Sequence, residues 1–131
     1  MRMGRLMPWT AAALLACCGC SDPSSPVLPN RPPRIASLTA WPTAIAAGDS
    51  TLVTCIATDE DGDSLVYDWA SDCRLAIKGN APDDYWLFGS PSNSHIFYRG
   101  CTTSLDSAWV ECTVRDRRGG NDVRMITVDL N

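Results

Sequence analysis

Alternation constrains this chain more than any other feature. In "DSTLVTCIATD", residues 49–59, Thr51, Val53, Cys55 and Ala57 fall on one face and Leu52, Thr54, Ile56 and Thr58 on the other. "SLVYDWA" sets Leu65, Tyr67 and Trp69 against Val66 and Asp68. "AWVECTVRD" sets Val110, Cys112 and Val114 against Trp109, Glu111, Thr113 and Arg115, and "VRMITVDL" aligns Ile126, Val128 and Leu130. Turn-forming runs, "AAGDS", "DEDGD" and "RRGGND", separate these segments. A two-residue period with no helical periodicity means an all-β chain, either a sandwich or a barrel.

Cys55, Trp69 and Cys112 all lie on inward faces, in that order along the chain. This resembles the Cys…Trp…Cys arrangement of immunoglobulin-like sandwiches, in which a Trp on the third strand packs on an inter-sheet disulfide. The tyrosine two residues before the second Cys is absent, since Val110 stands there. "PTAIAAGDSTLVTCIATDEDGDSLVYDW" and "WVECTVRDRRGGNDVRMITVDL" are similar to the two halves of PKD-type domains. Those run from a Pro-containing first strand through "TDxDGD" and "Y-x-W" to "V-x-D-x-x-G-G". After Trp69 the PKD continuation "WDFGDG" is replaced by "WASDC", so the broader class is expected: an immunoglobulin-like antiparallel β-sandwich of about seven strands with Greek-key connections. The resemblance implies a Cys55–Cys112 disulfide and Trp69 as the core tryptophan. Cys73 and Cys101 are then left over, and a second bridge between them is expected in an exported protein.

The N-terminus reads as an export signal. Arg2 and Arg5 are the only charges before Asp22, and the apolar run "LMPWTAAALLA" after them is too short to span a bilayer. The following "LLACCGCSD" resembles a bacterial lipobox. Leu14, Leu15 and Ala16 before Cys17 fit it best, with Cys20 as runner-up. The expected division is a lipoprotein signal peptide over 1–16, a lipidated Cys17 with a Pro-rich linker over 17–34, and the sandwich domain over 35–131. Cys18 and Cys20 sit beside the anchor with no partner assigned. Because Cys18 and not Asp follows Cys17, the resemblance implies an outer-membrane or cell-surface location. The linker stretch "SDPSSPVLPNRPPR" holds five of the nine prolines. Such chain is extended at about 3.1 Å per residue, giving a stalk of roughly 40 Å.

Removing residues 1–16 takes two arginines and no acid, leaving nine basic against fifteen acidic residues and a net charge of −6. That balance argues against a nucleic-acid partner.

Three stretches are candidates for chemistry. Asp59, Asp61 and Asp63 in "DEDGD" offer oxygens to calcium, but Gly62 and Ala70 break the EF-hand spacing. The expected reading is a turn whose acids face Arg117 and Arg118 of the "DRRGGND" loop, without a metal. Arg115, Arg117 and Arg118 could instead take an acidic ligand, although charge beside Gly-Gly is usually a soluble hairpin tip. Tyr85, Trp86, Leu87 and Phe88 form an apolar run, expected as a strand with half its side chains in the core. The rival reading is an exposed aromatic platform for a glycan or protein, with Trp86 and Phe88 sharing one face. His95 is the only histidine; it stands near Ser92 and Ser94 with no acid placed to orient it. Outside the lipobox-like segment, where Cys17 and Cys20 have that spacing, no CxxC pair is present, and there is no phosphate loop.

The expectation is a non-enzymatic cell-envelope lipoprotein with no catalytic residue, metal or cofactor. It is held to the membrane by lipid and displays one binding or structural module for a protein or glycan. The alternatives are a loop-presenting inhibitor of an extracellular or periplasmic enzyme, and a calcium-dependent adhesion module.

Overall fold

The computed structural model describes residues 26–72, 74–79, 85–99 and 106–131. The signal segment with Cys17, Cys18 and Cys20, and the expected Cys73–Cys101 pair, lie outside the described residues.

Nine strands are present among the described residues: β1 (Arg34–Trp41), β2 (Ala44–Ile45), β3 (Ser50–Thr58), β4 (Val66–Ser71), β5 (Leu75–Ile77), β6 (Trp86–Ser90), β7 (Ser94–Arg99), β8 (Ser107–Arg115) and β9 (Asn121–Leu130). They form two sheets, ordered β1-β3-β7-β5 and β2-β9-β8-β4-β6. The fold is the expected all-β sandwich. Its two additional strands are short. At the cis Trp41–Pro42 bond the chain leaves β1 and crosses to the other sheet, where β2 pairs in parallel with the end of β9. The irregular middle contributes β5, which pairs with β7.

The alternation becomes burial. Along β3, Thr51, Val53 and Cys55 are buried while Leu52 and Ile56 are exposed. Along β8, Ala108, Val110, Cys112 and Val114 all point inward. Apolar surface leaves water only if each strand turns one face to the other sheet, and this gain drives the two sheets together. Trp69 is fully buried at the centre. Its ring lies 5.9 Å from Phe97 and 5.5 Å, edge-on, from His95, and its indole N–H donates to the Ser92 carbonyl at 3.4 Å.

Cys112 sits opposite Trp69 in the β4–β8 register. Cys55 meets Cys112 from the other sheet, and a thiol hydrogen bond joins them. The disulfide implied by the resemblance is not formed in the structure: both residues are free, buried thiols. The hydrogen bond to Cys55, followed by burial, pushes the Cys112 thiol well above its ordinary range.

The end of the Pro-rich stretch packs against the domain. Pro33 is fully buried, the Ile35 N–H donates to Asp122 at 2.7 Å, and β1 begins at Arg34.

Candidate functional site

Two places gather charged or aromatic side chains: one end of the sandwich, and the outer face of the five-stranded sheet.

At the end, the β3–β4 loop turns tightly at Gly62, whose φ of 74° favours glycine. One carboxylate oxygen of Asp59 accepts the N–H groups of Asp61 and Asp63 at 2.9 and 3.2 Å. This is the side-chain capping that makes Asp frequent in turns. Asp59, Asp61 and Asp63 bring carboxylate oxygens within 4.8 Å of one another. Arginines face them as the sequence suggested. Arg118 lies 3.2 Å from Asp63 and 3.8 Å from Asp61. Arg117 makes no such pair. Arg31, from the stretch expected as linker, adds a second partner: its N–H donates to Asp61 at 2.7 Å and its guanidinium meets Glu60 at 2.6 Å. A cation entering here would have to compete with the Arg118 guanidinium and the Arg31 backbone N–H for the same oxygens.

The β8–β9 loop is built around Asp116, which is 2 % exposed. Its carboxylate accepts the Asn30 amide at 2.6 Å and the N–H groups of Arg118 and Gly120 at 2.7 and 2.9 Å. Burial pushes its pKa up, but the three donors outweigh burial and hold the carboxyl below its usual range. Gly120 must be glycine, because a Cβ there would overlap the Asp116 carboxylate and come within 2.8 Å of the Pro32 backbone. Asn30, Arg31 and Asp116 were not foreseen as partners. Asp116 is the aspartate of the "V-x-D-x-x-G-G" run, so its signal was legible. Nothing in a proline-rich sequence marks Asn30 or Arg31 as docked.

The loop held in this way presents Arg117 at φ 64°, a left-handed conformation that costs a bulky residue strain. Arg117 has no hydrogen-bond or ion-pair partner among the described residues. With Arg115, Val66, Gly89, Gly119, Gly120 and Asn121 it lines a cleft of about 440 Å³. Arg115 is engaged, forming a two-pronged pair with Asp68 at 2.8 Å on each prong. That pair also lay outside the sequence reading.

The cleft opens on the outer face of the five-stranded sheet, where β6 is the edge strand. Leu87 packs against the core, opposite Trp69. Trp86 and Phe88 therefore point outward, 56 % and 69 % exposed, and stack with ring centres 6.3 Å apart and planes 15° from parallel. The expectation of a strand with half its side chains inside holds, but the two large aromatics form the outer half. Between the Tyr67–Ser90 and Trp69–Leu87 pairs the register shifts, leaving Phe88 and Gly89 opposite Asp68. The Gly89 N–H donates to Asp68 at 2.7 Å. One rung of this face runs Trp86, Ala70, Glu111, Met125.

His95 is half-buried, and burial holds its imidazole below the ordinary value. Its Nε2 lies 3.0 Å from the Ser90 hydroxyl. Among the described residues no carboxylate hydrogen-bonds it. No helix among the described residues is long and apolar enough to cross a membrane.

Comparison with known proteins defines the fold. No protein-family model matches the chain, and no curated protein matches it. Among solved structures the chain is similar to the PKD domain of a peptidase from a Thermoplasmatales archaeon. The identity is 19 % and the TM-score 0.52, over 78 % of this chain and 98 % of that one. It is also similar, at 19 % identity and TM-score 0.51, to a nucleoside hydrolase-related hypothetical protein from Saccharophagus degradans associated with carbohydrate metabolism. There the match covers 78 % of this chain but only 26 % of the other. A looser likeness, at 16 % identity and TM-score 0.46, links it to the N-terminal Ig1-2 module of a Drosophila receptor protein tyrosine phosphatase, over 77 % of this chain and 50 % of that one. These likenesses show the fold alone, a PKD-like β-sandwich.

Proposed function

We propose that this protein is a lipid-anchored module of the bacterial cell envelope, on the outer membrane or cell surface, which makes contact with a glycan or protein partner. Its working surface is the outer face of the five-stranded sheet. The observation that carries this reading is the stacked Trp86–Phe88 pair, held in water on edge strand β6. Two large aromatics left exposed side by side forgo burial that each would otherwise gain, and such surfaces commonly mark contacts. The lipobox-like "LLACC" before and around Cys17 supports the anchor. The exposed aromatic surface supports a binding module, because function is carried by the site and not by the fold.

The test is co-sedimentation of the full-length protein with envelopes from a strain lacking it. Cys17→Ala should release the protein from membranes in the producing cell. The double variant Trp86→Ala/Phe88→Ala should keep the anchor and lose binding to added envelopes. Undiminished binding by the double variant would remove this face from the account.

A further inference from the structure

We infer that the face recognises a carboxylate-bearing polysaccharide, a polyuronate, with Arg117 taking the carboxylate and the Trp86–Phe88 pair taking the sugar rings. The inference rests on the contact-face reading above and adds a ligand class to it.

Four observations lead there. Among the described residues Arg117 is the guanidinium at the cleft that has no partner, whereas Arg115 is held by Asp68 and Arg118 by Asp61 and Asp63. The loop presenting it is fixed by three hydrogen bonds to the buried Asp116 carboxylate, so Arg117 is offered in one backbone conformation. That conformation is strained for arginine and would suit glycine, yet arginine occupies it. Phe88 is adjacent along β6 to Gly89, which forms the cleft wall, so the aromatic pair and the guanidinium border one continuous surface.

The chemistry selects the ligand. A planar guanidinium binds a carboxylate through two parallel hydrogen bonds, a geometry an ammonium cannot match. Aromatic rings pack against the C–H face of a sugar, and a cleft of about 440 Å³ is within the range of small-ligand sites. A ligand with both a carboxylate and a sugar ring uses both parts. The acidity of the whole chain does not forbid it. Charges further than about 8 Å are largely screened at physiological salt; Asp68, Asp61 and Asp63 are already paired, and Glu111, on the Trp86 rung, is the carboxylate of this face that an anionic ligand must keep clear of.

The experiment measures binding of the full-length protein, in detergent, to polygalacturonate and to its methyl-esterified, uncharged form. Polygalacturonate should bind, more weakly as salt rises, and esterification should weaken binding by roughly tenfold or more. Arg117→Gly should lose a similar factor for polygalacturonate while raising the melting temperature, since glycine relieves the left-handed strain. Arg117→Lys, which keeps the charge but not the fork, should fall between. Equal affinity for the two polymers, or an Arg117→Gly variant that binds normally, would overturn the inference, as would absence of binding to either. In each of those cases loss of envelope binding by Trp86→Ala/Phe88→Ala would still uphold the contact face.

Discussion

Each outer face of the sandwich exposes a tryptophan, and the two are set differently. On the four-stranded sheet Trp41, Leu52 and Ile96 line up across β1, β3 and β7. Their outward neighbours include serines, threonines and Tyr98, with Lys78 beside Leu52 and Ile96 and with Ile56 further along. On the five-stranded sheet Trp86 stacks with Phe88 beside a fixed Arg115–Asp68 pair and a cleft holding Arg117. Scattered exposed hydrophobics are ordinary on a small domain, whose polar surface cannot cover it. An aromatic stack beside directed charge is less ordinary, because charge adds geometry to a contact that apolar area alone leaves unspecific. Exposure by itself therefore does not mark a site; the company an exposed ring keeps does.

The comparison holds only if the faces are skin over a common core, and the core tryptophan tests that first. Trp69→Ala should cost about 3–5 kcal/mol in urea denaturation, because it empties the centre of the sandwich. Trp86→Ala and Trp41→Ala should each shift stability by less than about 1 kcal/mol, since their rings are already mostly in water. A large loss for Trp86→Ala would recast β6 as structural and break the contrast between the faces.

The link between the sheets comes next. In an oxidising compartment Cys55 and Cys112 are proposed to bridge, closing a long loop. Peptide mapping without reductant should then recover that pair, and reduction should lower stability by about 2–5 kcal/mol. Recovery of a Cys55–Cys73 peptide instead would overturn the pairing. Gly120→Ala should cost about 1–3 kcal/mol, read by thermal melting, because its methyl meets the backbone of Pro32 and the Asp116 carboxylate. That loss would separate the docked Asn30–Pro33 segment from a free spacer.

Two further effects are those of pH. In the reduced protein the folded state keeps the Cys112 proton that the unfolded chain releases near pH 8.5. Stability from this group is complete below that value and should fall as pH rises, by at most about 1.4 kcal/mol per unit. The oxidised protein should not show it. His95 acts at the other end. Its folded imidazole resists protonation, so stability should decline as pH drops below about 6.5, where the unfolded histidine takes up its proton. Melting curves from pH 5 to 10, with and without reductant, check both.

The fold was legible because burial in a sandwich has a period of two: Thr51, Val53 and Cys55, then Val110, Cys112 and Val114, announce their inward faces directly. The Asp-rich turn was legible because Gly62 and Asp59 act locally. The site was less so. "YWLF" is apolar throughout, and which alternate residues face water depends on the register with β4, a long-range fact. The Arg115–Asp68 pair and the Asn30–Asp116 bond join residues far apart in sequence, so composition near either partner gives no sign of them. Arg117 illustrates the limit well. Clustered with Arg115 and Arg118 in the sequence, it differs from them in the fold by its left-handed backbone and by having no partner among the described residues.

The most direct test is side-chain footprinting of the full-length protein by hydroxyl radicals, with and without added envelopes. The account predicts protection of Trp86, Phe88 and Met125 on binding, with Trp41 and Ile56 labelled as before. Protection of Trp41, Leu52 and Ile56 with Trp86 unchanged would place the contact on the opposite face and contradict it.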